Sequence, residues 1–347
     1  MWTVKLFKVN QMPSDFQEPF IISKYRSSRS SLLCCLKSMF QATNETLNFW
    51  THFLPFLYFL WKLFALSFVH NFLMDSYTWP LCIYLISVCG YLFGSCTAHL
   101  FNCLSEHARH VCFFFDYAAI SFYGIGAAIA YKFYVFPSSW IGGLLYNSYL
   151  PFAAVSAVMC TISACSSRFG DREKLKKILR LVSFAVPYLF DSIPLAARLY
   201  LCYSEDCPDE SFRPHLRQFL IAPMVAFLFA THFPECIAPG KFDVVGHSHQ
   251  LFHVLVALAT NDQLNALIWD MVHRREYLNE HGTKPTFFWS LGVGLFVFTA
   301  NMLVVYAFSV LIKHQYFFRK YTGNMFYKMK GRAKVNGVAN GTDKKSS

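Results

Sequence analysis

Charge is what this sequence has least of. Asp, Glu, Lys and Arg make up 15% of its 347 residues, against 55% hydrophobic and 18% aromatic. A soluble domain carries about 25% charged residues, so an ordinary globular fold is excluded. Residues 1–30 lack an apolar core and a small-residue cleavage site. No cleavable signal peptide is expected, and the first span inserts the chain. No CxxC pair occurs among the twelve cysteines. They are scattered, mostly inside apolar blocks, which excludes a disulfide framework or a thiolate metal cluster and leaves them as small buried hydrophobes. Two places differ. Cys202 and Cys207 bracket an acidic loop and suit a local disulfide if that loop lies outside the cell. Cys34-Cys35 stands before the first span and suits S-palmitoylation.

What is present is hydrophobicity in blocks of about 20 residues, the length that crosses a bilayer. Eight such blocks fall at roughly 48–70, 78–101, 112–134, 142–165, 178–201, 217–236, 247–270 and 287–313. The chain reads as an all-α integral membrane protein: an N-terminal segment 1–47, a multi-span core 48–313 and a basic tail 314–347. The sixth and seventh blocks depart most from a uniform span. The seventh carries Asn261, Asp262, Gln263 and Asn265, so its outer half must face other helices or water.

The net charge of +11 raises the question of nucleic acid. Its distribution answers for membrane: basic residues flank the blocks and fill the tail, as orientation and anionic lipid require. No nucleic-acid partner is expected. Counting Lys and Arg in alternate loops puts the N-terminal segment, Arg109, the loop with Arg168, Arg172, Lys174, Lys176 and Lys177, Lys241 and the tail on one side. The other side receives Arg213, Arg274, Arg275 and Lys284. Both termini are therefore expected in the cytosol, and the sequons at Asn44 and Asn340 are expected to be unused.

Polar residues inside the blocks carry the functional signal. His249 and His253 are four apart at the start of the seventh span, hence on one helical face. In the predicted topology His99, with Ser95 one turn before it, lies at the cytosolic end of the second span. Asp116 lies just inside the same leaflet on the third. Three imidazoles and a carboxyl converge at one depth on one side. Three neutral imidazoles match the ligand count of an open zinc site. Asp116 suits a supporting group or an acceptor for metal-bound water better than a fourth ligand. This places the expected zinc site near the cytosolic face.

The run Asn44-Glu45-Thr46-Leu47-Asn48-Phe49-Trp50-Thr51-His52 resembles the opening motif of the progestin and adipoQ receptor family. Ser95-x-x-x-His99, Asp116-Tyr117, Pro234-Glu235, Pro239-Gly240-Lys241-Phe242-Asp243 and His247 through His253 complete the resemblance over about residues 20–313. The form of the opening motif, Arg109-His110 and the added last span are similar to the membrane progestin receptor branch, nearest its gamma or delta type. The resemblance implies zinc held by His99, His249 and His253, with Asp116 reaching it through water. It implies a plasma-membrane receptor for progestin-type steroids, signalling to the cytosol, with G proteins as partners. The same residues are also similar to the site of the alkaline ceramidases. There, zinc would activate water against a lipid amide, with Asp116 as base and Ser95 at the oxyanion. A purely structural zinc is the third reading.

Asp191 lies mid-span between Pro187 and Pro194, with Arg198 seven residues on. One continuous helix would put both on one face, where Asp191 either caps groups freed by the prolines or contacts a ligand. Glu45, Asn48 and His52 form an i, i+3, i+7 face entering the first span, read as a lock between helix ends in preference to a ligand contact. Phe and Tyr are too abundant for any aromatic stripe to mark a binding site. The tail run Tyr316-Phe317-Phe318-Arg319-Lys320 suits an inner-leaflet anchor. The terminal Lys344-Lys345-Ser346-Ser347 resembles a dilysine retrieval address, the one sign of intracellular retention.

Overall fold

The structure is a computed structural model that describes residues 3–169, 173–204 and 210–315. The readings placed on Cys207, on the tail beyond residue 315 and on the sequon at Asn340 lie outside those residues.

The described chain is helical, and its one β feature is an isolated bridge between Phe7 and Tyr25. Helix α1 spans Leu32–Ser38, α2 Thr46–Val69, α3 Trp79–Phe101 and α4 Glu106–Ala130. Then follow α5 Leu144–Ser166, α6 Glu173–Asp191, α7 Ile193–Ser204 and α8 Phe212–Thr231. The set closes with α9 Ser248–His273, α10 Arg275–His281 and α11 Phe288–Gln315. Local chemistry sets several boundaries. Ser105 caps α4 by accepting the Ala108 N–H at 3.0 Å, and Pro80 sits in the first turn of α3, where a missing N–H costs nothing. Gly246 adopts a left-handed φ of +86° just before His247, the N-cap of α9; a side chain is disfavoured there.

Among the described residues, six helices are long and apolar enough to cross a membrane, or seven if α6 and α7, bent by 48° at their junction, count as one broken span. The expectation of eight spans is narrowed accordingly. Helix α8 does not qualify, because its first two turns carry Arg213, His215, Arg217 and Gln218. The most apolar windows of α3 and α4 are 67% and 56% buried, those of α2 and α11 only 11% and 22%. Helices α3 and α4 are therefore the centre of the bundle. Helices α2 and α11 present residues such as Trp61, Phe64, Phe296 and Leu303 outward, the faces that lipid would cover. Small residues let the central helices meet, as in other membrane bundles. At Gly126 of α4 a Cβ would stand 2.1 Å from Ser87 Oγ of α3, and at Gly294 of α11 it would stand 2.7 Å from Ile83.

The N-terminal segment is an ordered strap across the end of the bundle where α2, α4 and α9 begin. Asp243, in the loop before α9, accepts the backbone N–H groups of Ile22 and Ser23 at 3.0 and 2.8 Å, and the Ser23 hydroxyl at 2.6 Å. The Arg26 guanidinium, buried, donates to the carbonyls of His99 and Leu100 and to Asn102 Oδ1 at 2.6–2.8 Å. It thereby satisfies carbonyls that the end of α3 leaves unpaired. Cys35 is buried against Cys103, with sulfurs 3.5 Å apart, so of the expected acylation pair only Cys34 retains access. Cys202 is disulfide-bonded.

Candidate metal centre and ligand cavity

Helix α3 runs opposite to α2, α4 and α9, so its C-terminal end meets their N-terminal ends. That register collects the site. Among the described residues, His99, His249 and His253 form a group of three whose ligand atoms all lie within 4.8 Å of one another. His249 and His253 share a face of α9 with ring centroids 4.4 Å apart, as their spacing requires. The Nε2 atoms of His99 and His249 stand 3.0 Å apart. One ion at the roughly 2.0–2.1 Å of a zinc–imidazole bond reaches both.

The ring nitrogens on the far side are already used. His99 Nδ1 meets Glu45 Oε2 at 2.7 Å. His253 Nδ1 meets Thr51 Oγ1 at 3.0 Å, and the Thr51 hydroxyl spends its own proton on the Leu47 carbonyl at 2.6 Å. Each imidazole thus donates from Nδ1 and turns the lone pair of Nε2 toward the cluster. A carboxylate or hydroxyl behind the ring is the usual support of a metal-binding histidine. The donor set therefore fits a metal ion.

Glu45 has more than the expected locking role. It accepts from Asn48 Nδ2 and Asn102 Nδ2, both at 2.8 Å, tying α2 to the end of α3, while also orienting His99. His52 stacks on His253 with centroids 3.6 Å apart, and both its ring nitrogens are buried without hydrogen-bond partners. Asp116 is buried, with Oδ1 lacking a partner, and interacts with Ser95 and His99. The start of α9 is set by Glu235, which accepts the Ser248 N–H at 2.6 Å and the Ser248 hydroxyl. Gln250 closes the same turn, accepting from Gly246 N at 2.6 Å and donating to the Val244 carbonyl at 2.8 Å. Of these supports, Thr51 and Glu235 are visible in the sequence only as motif residues. Neither has a spacing signal, because each acts on a histidine-bearing helix from a different segment.

The centre opens into a cavity of about 1800 Å³ between the helices. His99, His253, Ser95 and Asp116 line one part of it, and Tyr123, Gln263 and Asp191 line others. It exceeds the roughly 300–1,000 Å³ of common small-molecule sites.

Asp191 and Arg198 do not share a face. The chain breaks after Asp191 and resumes at Ile193 with the 48° bend. Arg198 turns instead to Asp270 of α9, donating to its two carboxyl oxygens at 2.5 and 2.7 Å. The prolines at 187 and 194 explain the break.

The chain matches the haemolysin-III related family over residues 40–264. It is 43% identical to a membrane progestin receptor gamma-A of Danio rerio over 324 residues, 88% of this chain and 94% of that protein. It is 42% identical to membrane progestin receptor delta of Homo sapiens over 313 residues, covering 89% and 91% of the two chains. Against membrane progestin receptor gamma of Mus musculus the figures are 41% over 276 residues, 79% and 84%.

Proposed function

The chain belongs to the haemolysin-III related family, and from that premise we propose that it is a plasma-membrane receptor for progestin-type steroids. The observation that carries this reading is the likeness, at 43% and 42% identity and over nearly the full length of both chains, to proteins named membrane progestin receptors gamma and delta. The cavity of about 1800 Å³ supports it, since a rigid apolar tetracycle needs enclosed volume between helices.

In this reading zinc sits on His99, His249 and His253, with Asp116 reaching it through water and Ser95 beside it. The metal would tie α3 to α9. Glu45 and Thr51 keep the ring nitrogens turned inward, and Asn48 and His52 complete the wall from α2. Helix α8 is the sixth of eight spans, despite its polar first turns, and both termini lie in the cytosol, where G proteins are the partners. An amidase reading of the same residues is not favoured, because the relatives are receptors by name.

Purified full-length protein should bind radiolabelled progesterone saturably and contain about one zinc, as three imidazole donors suit that ion. Absence of saturable binding by folded protein would refute the receptor assignment. Zinc retained in full by a His249→Ala/His253→Ala variant would refute the metal assignment. Tags at both ends should be reached by antibody only after permeabilisation, and a terminus accessible on intact cells would remove the eight-span topology.

A further inference from the structure

Asp191 stands where α6 ends and the chain bends into α7. The residue is 8% exposed and lines the cavity, and its Oδ1 is buried with no hydrogen-bond partner. The fold does not use this carboxyl. The Tyr149 hydroxyl, at 2.6 Å, bonds the backbone carbonyl of Asp191 and not its side chain. Arg198, seven residues on, is held by Asp270. Gly124 across from it leaves room, since even an added Cβ there would stay 3.8 Å from Asp191 Oδ2.

A buried carboxyl oxygen without a partner is costly, and an ionisable group inside a span is retained for a use. Apolar ligand cavities carry a few polar groups that fix orientation, and this one is placed as such a group. Its chemistry selects what it meets. A steroid offers two kinds of polar group: oxo groups, which only accept, and hydroxyl groups, which donate and accept. An ionised carboxylate only accepts, so it rejects an oxo group and takes a hydroxyl. A protonated carboxyl takes a hydroxyl too but also donates to an oxo group, so only the ionised form tells the two apart. The hydroxyl is the group that satisfies either form.

We infer that Asp191 is a hydroxyl-reading subsite of the cavity, one that distinguishes hydroxylated steroids from their oxo-only counterparts. This rests on the steroid-receptor reading above. The test uses full-length protein in lipid nanodiscs and competition binding by progesterone and by derivatives each carrying one hydroxyl, at C3, C11, C17 or C20. In the wild-type protein at least one derivative should bind about 10–100-fold more tightly than progesterone, the range expected of a hydrogen bond to a charged group. Asp191→Ala should erase that advantage, so that the derivative and progesterone bind this variant about equally. Asp191→Asn, nearly isosteric, should reduce the advantage several-fold, and it decides the matter if the alanine variant does not fold. An advantage unchanged in Asp191→Asn and Asp191→Ala, or an equal loss for progesterone and every derivative, would overturn the inference. Wild-type protein that binds neither progesterone nor any derivative would instead overturn the receptor reading on which it rests.

Discussion

Two polar clusters within the bundle each join histidine to aspartate and are finished differently. Around Asp270, every group is answered. Its carboxylate, fully buried, accepts from Arg198 at both oxygens and from His215 Nε2 at 2.9 Å. His215 Nδ1 meets Gln218 at 2.8 Å, and the Tyr131 hydroxyl donates to Gln218 Oε1 at 3.3 Å. Gln263 in turn donates to Tyr131 at 2.6 Å and accepts from Tyr84 and Tyr123 at 2.9 and 2.5 Å. Around His99, the supporting nitrogens are satisfied, but what faces inward is not. Asn48 Oδ1, Asp116 Oδ1 and both nitrogens of His52 lack partners, and two Nε2 atoms point at each other. A saturated network inside a low-dielectric bundle specifies packing. An unsaturated one asks for a ligand, since buried polar groups otherwise go unpaired at a cost. The histidine and aspartate they share do not tell the two clusters apart. Their hydrogen-bond accounts do.

The largest effect is expected where saturation is broken. Arg198→Leu should leave Asp270 buried and unanswered on one side and cost about 3–5 kcal/mol, the range for removing one partner of a buried ion pair. Thermal unfolding of the purified protein measures this. Adding Asp270→Asn should recover part of the loss, because the orphaned charge goes with it. A single variant as stable as wild type would mean that the Asp270 cluster is not the closed structural unit described here.

A smaller effect is expected behind the metal centre. Glu45→Gln keeps the shape but replaces the carboxylate behind His99 Nδ1. Metal affinity should fall about 10–100-fold, as for other groups that orient a ligating histidine, alongside a loss of about 1–3 kcal/mol in the metal-free protein because the amide sets one donor against another. Competition with a graded series of chelators reads the change. Unaltered affinity would demote Glu45 to the helix lock expected from its spacing alone.

The smallest effect sharpens the distinction between receptor and enzyme. Asp116→Asn can still hydrogen-bond but cannot take a proton. Zinc content should be kept and progesterone affinity should shift by less than about 3-fold, since the amide is nearly isosteric and still accepts a hydrogen bond. An amidase would instead lose about 10²–10⁴ in turnover with its base. Measurable ceramide hydrolysis by wild-type protein that disappears in this variant would reverse the assignment.

Much of this was legible in the chain itself. Runs of about 20 apolar residues are a local property, and charge bias between loops adds up without reference to contacts, so the helical membrane class followed from counting. The convergence of His99, Asp116, His249 and His253 also followed, because antiparallel helices of similar length bring alternate ends to one level. Pairing was another matter. One continuous helix would set Arg198 on the same face as Asp191. The break with its 48° bend gave the arginine to Asp270, 72 residues on. Thr51 reaches His253 across 202 positions, and Asp243 holds the strap at Ser23 across 220. Such choices depend on how far each helix is rotated about its axis and where its neighbours' side chains end. Periodicity leaves both free. The sequence determined that these polar groups sit on long apolar helices and near which ends. Only packing decided which of them answer one another and which are left facing the cavity.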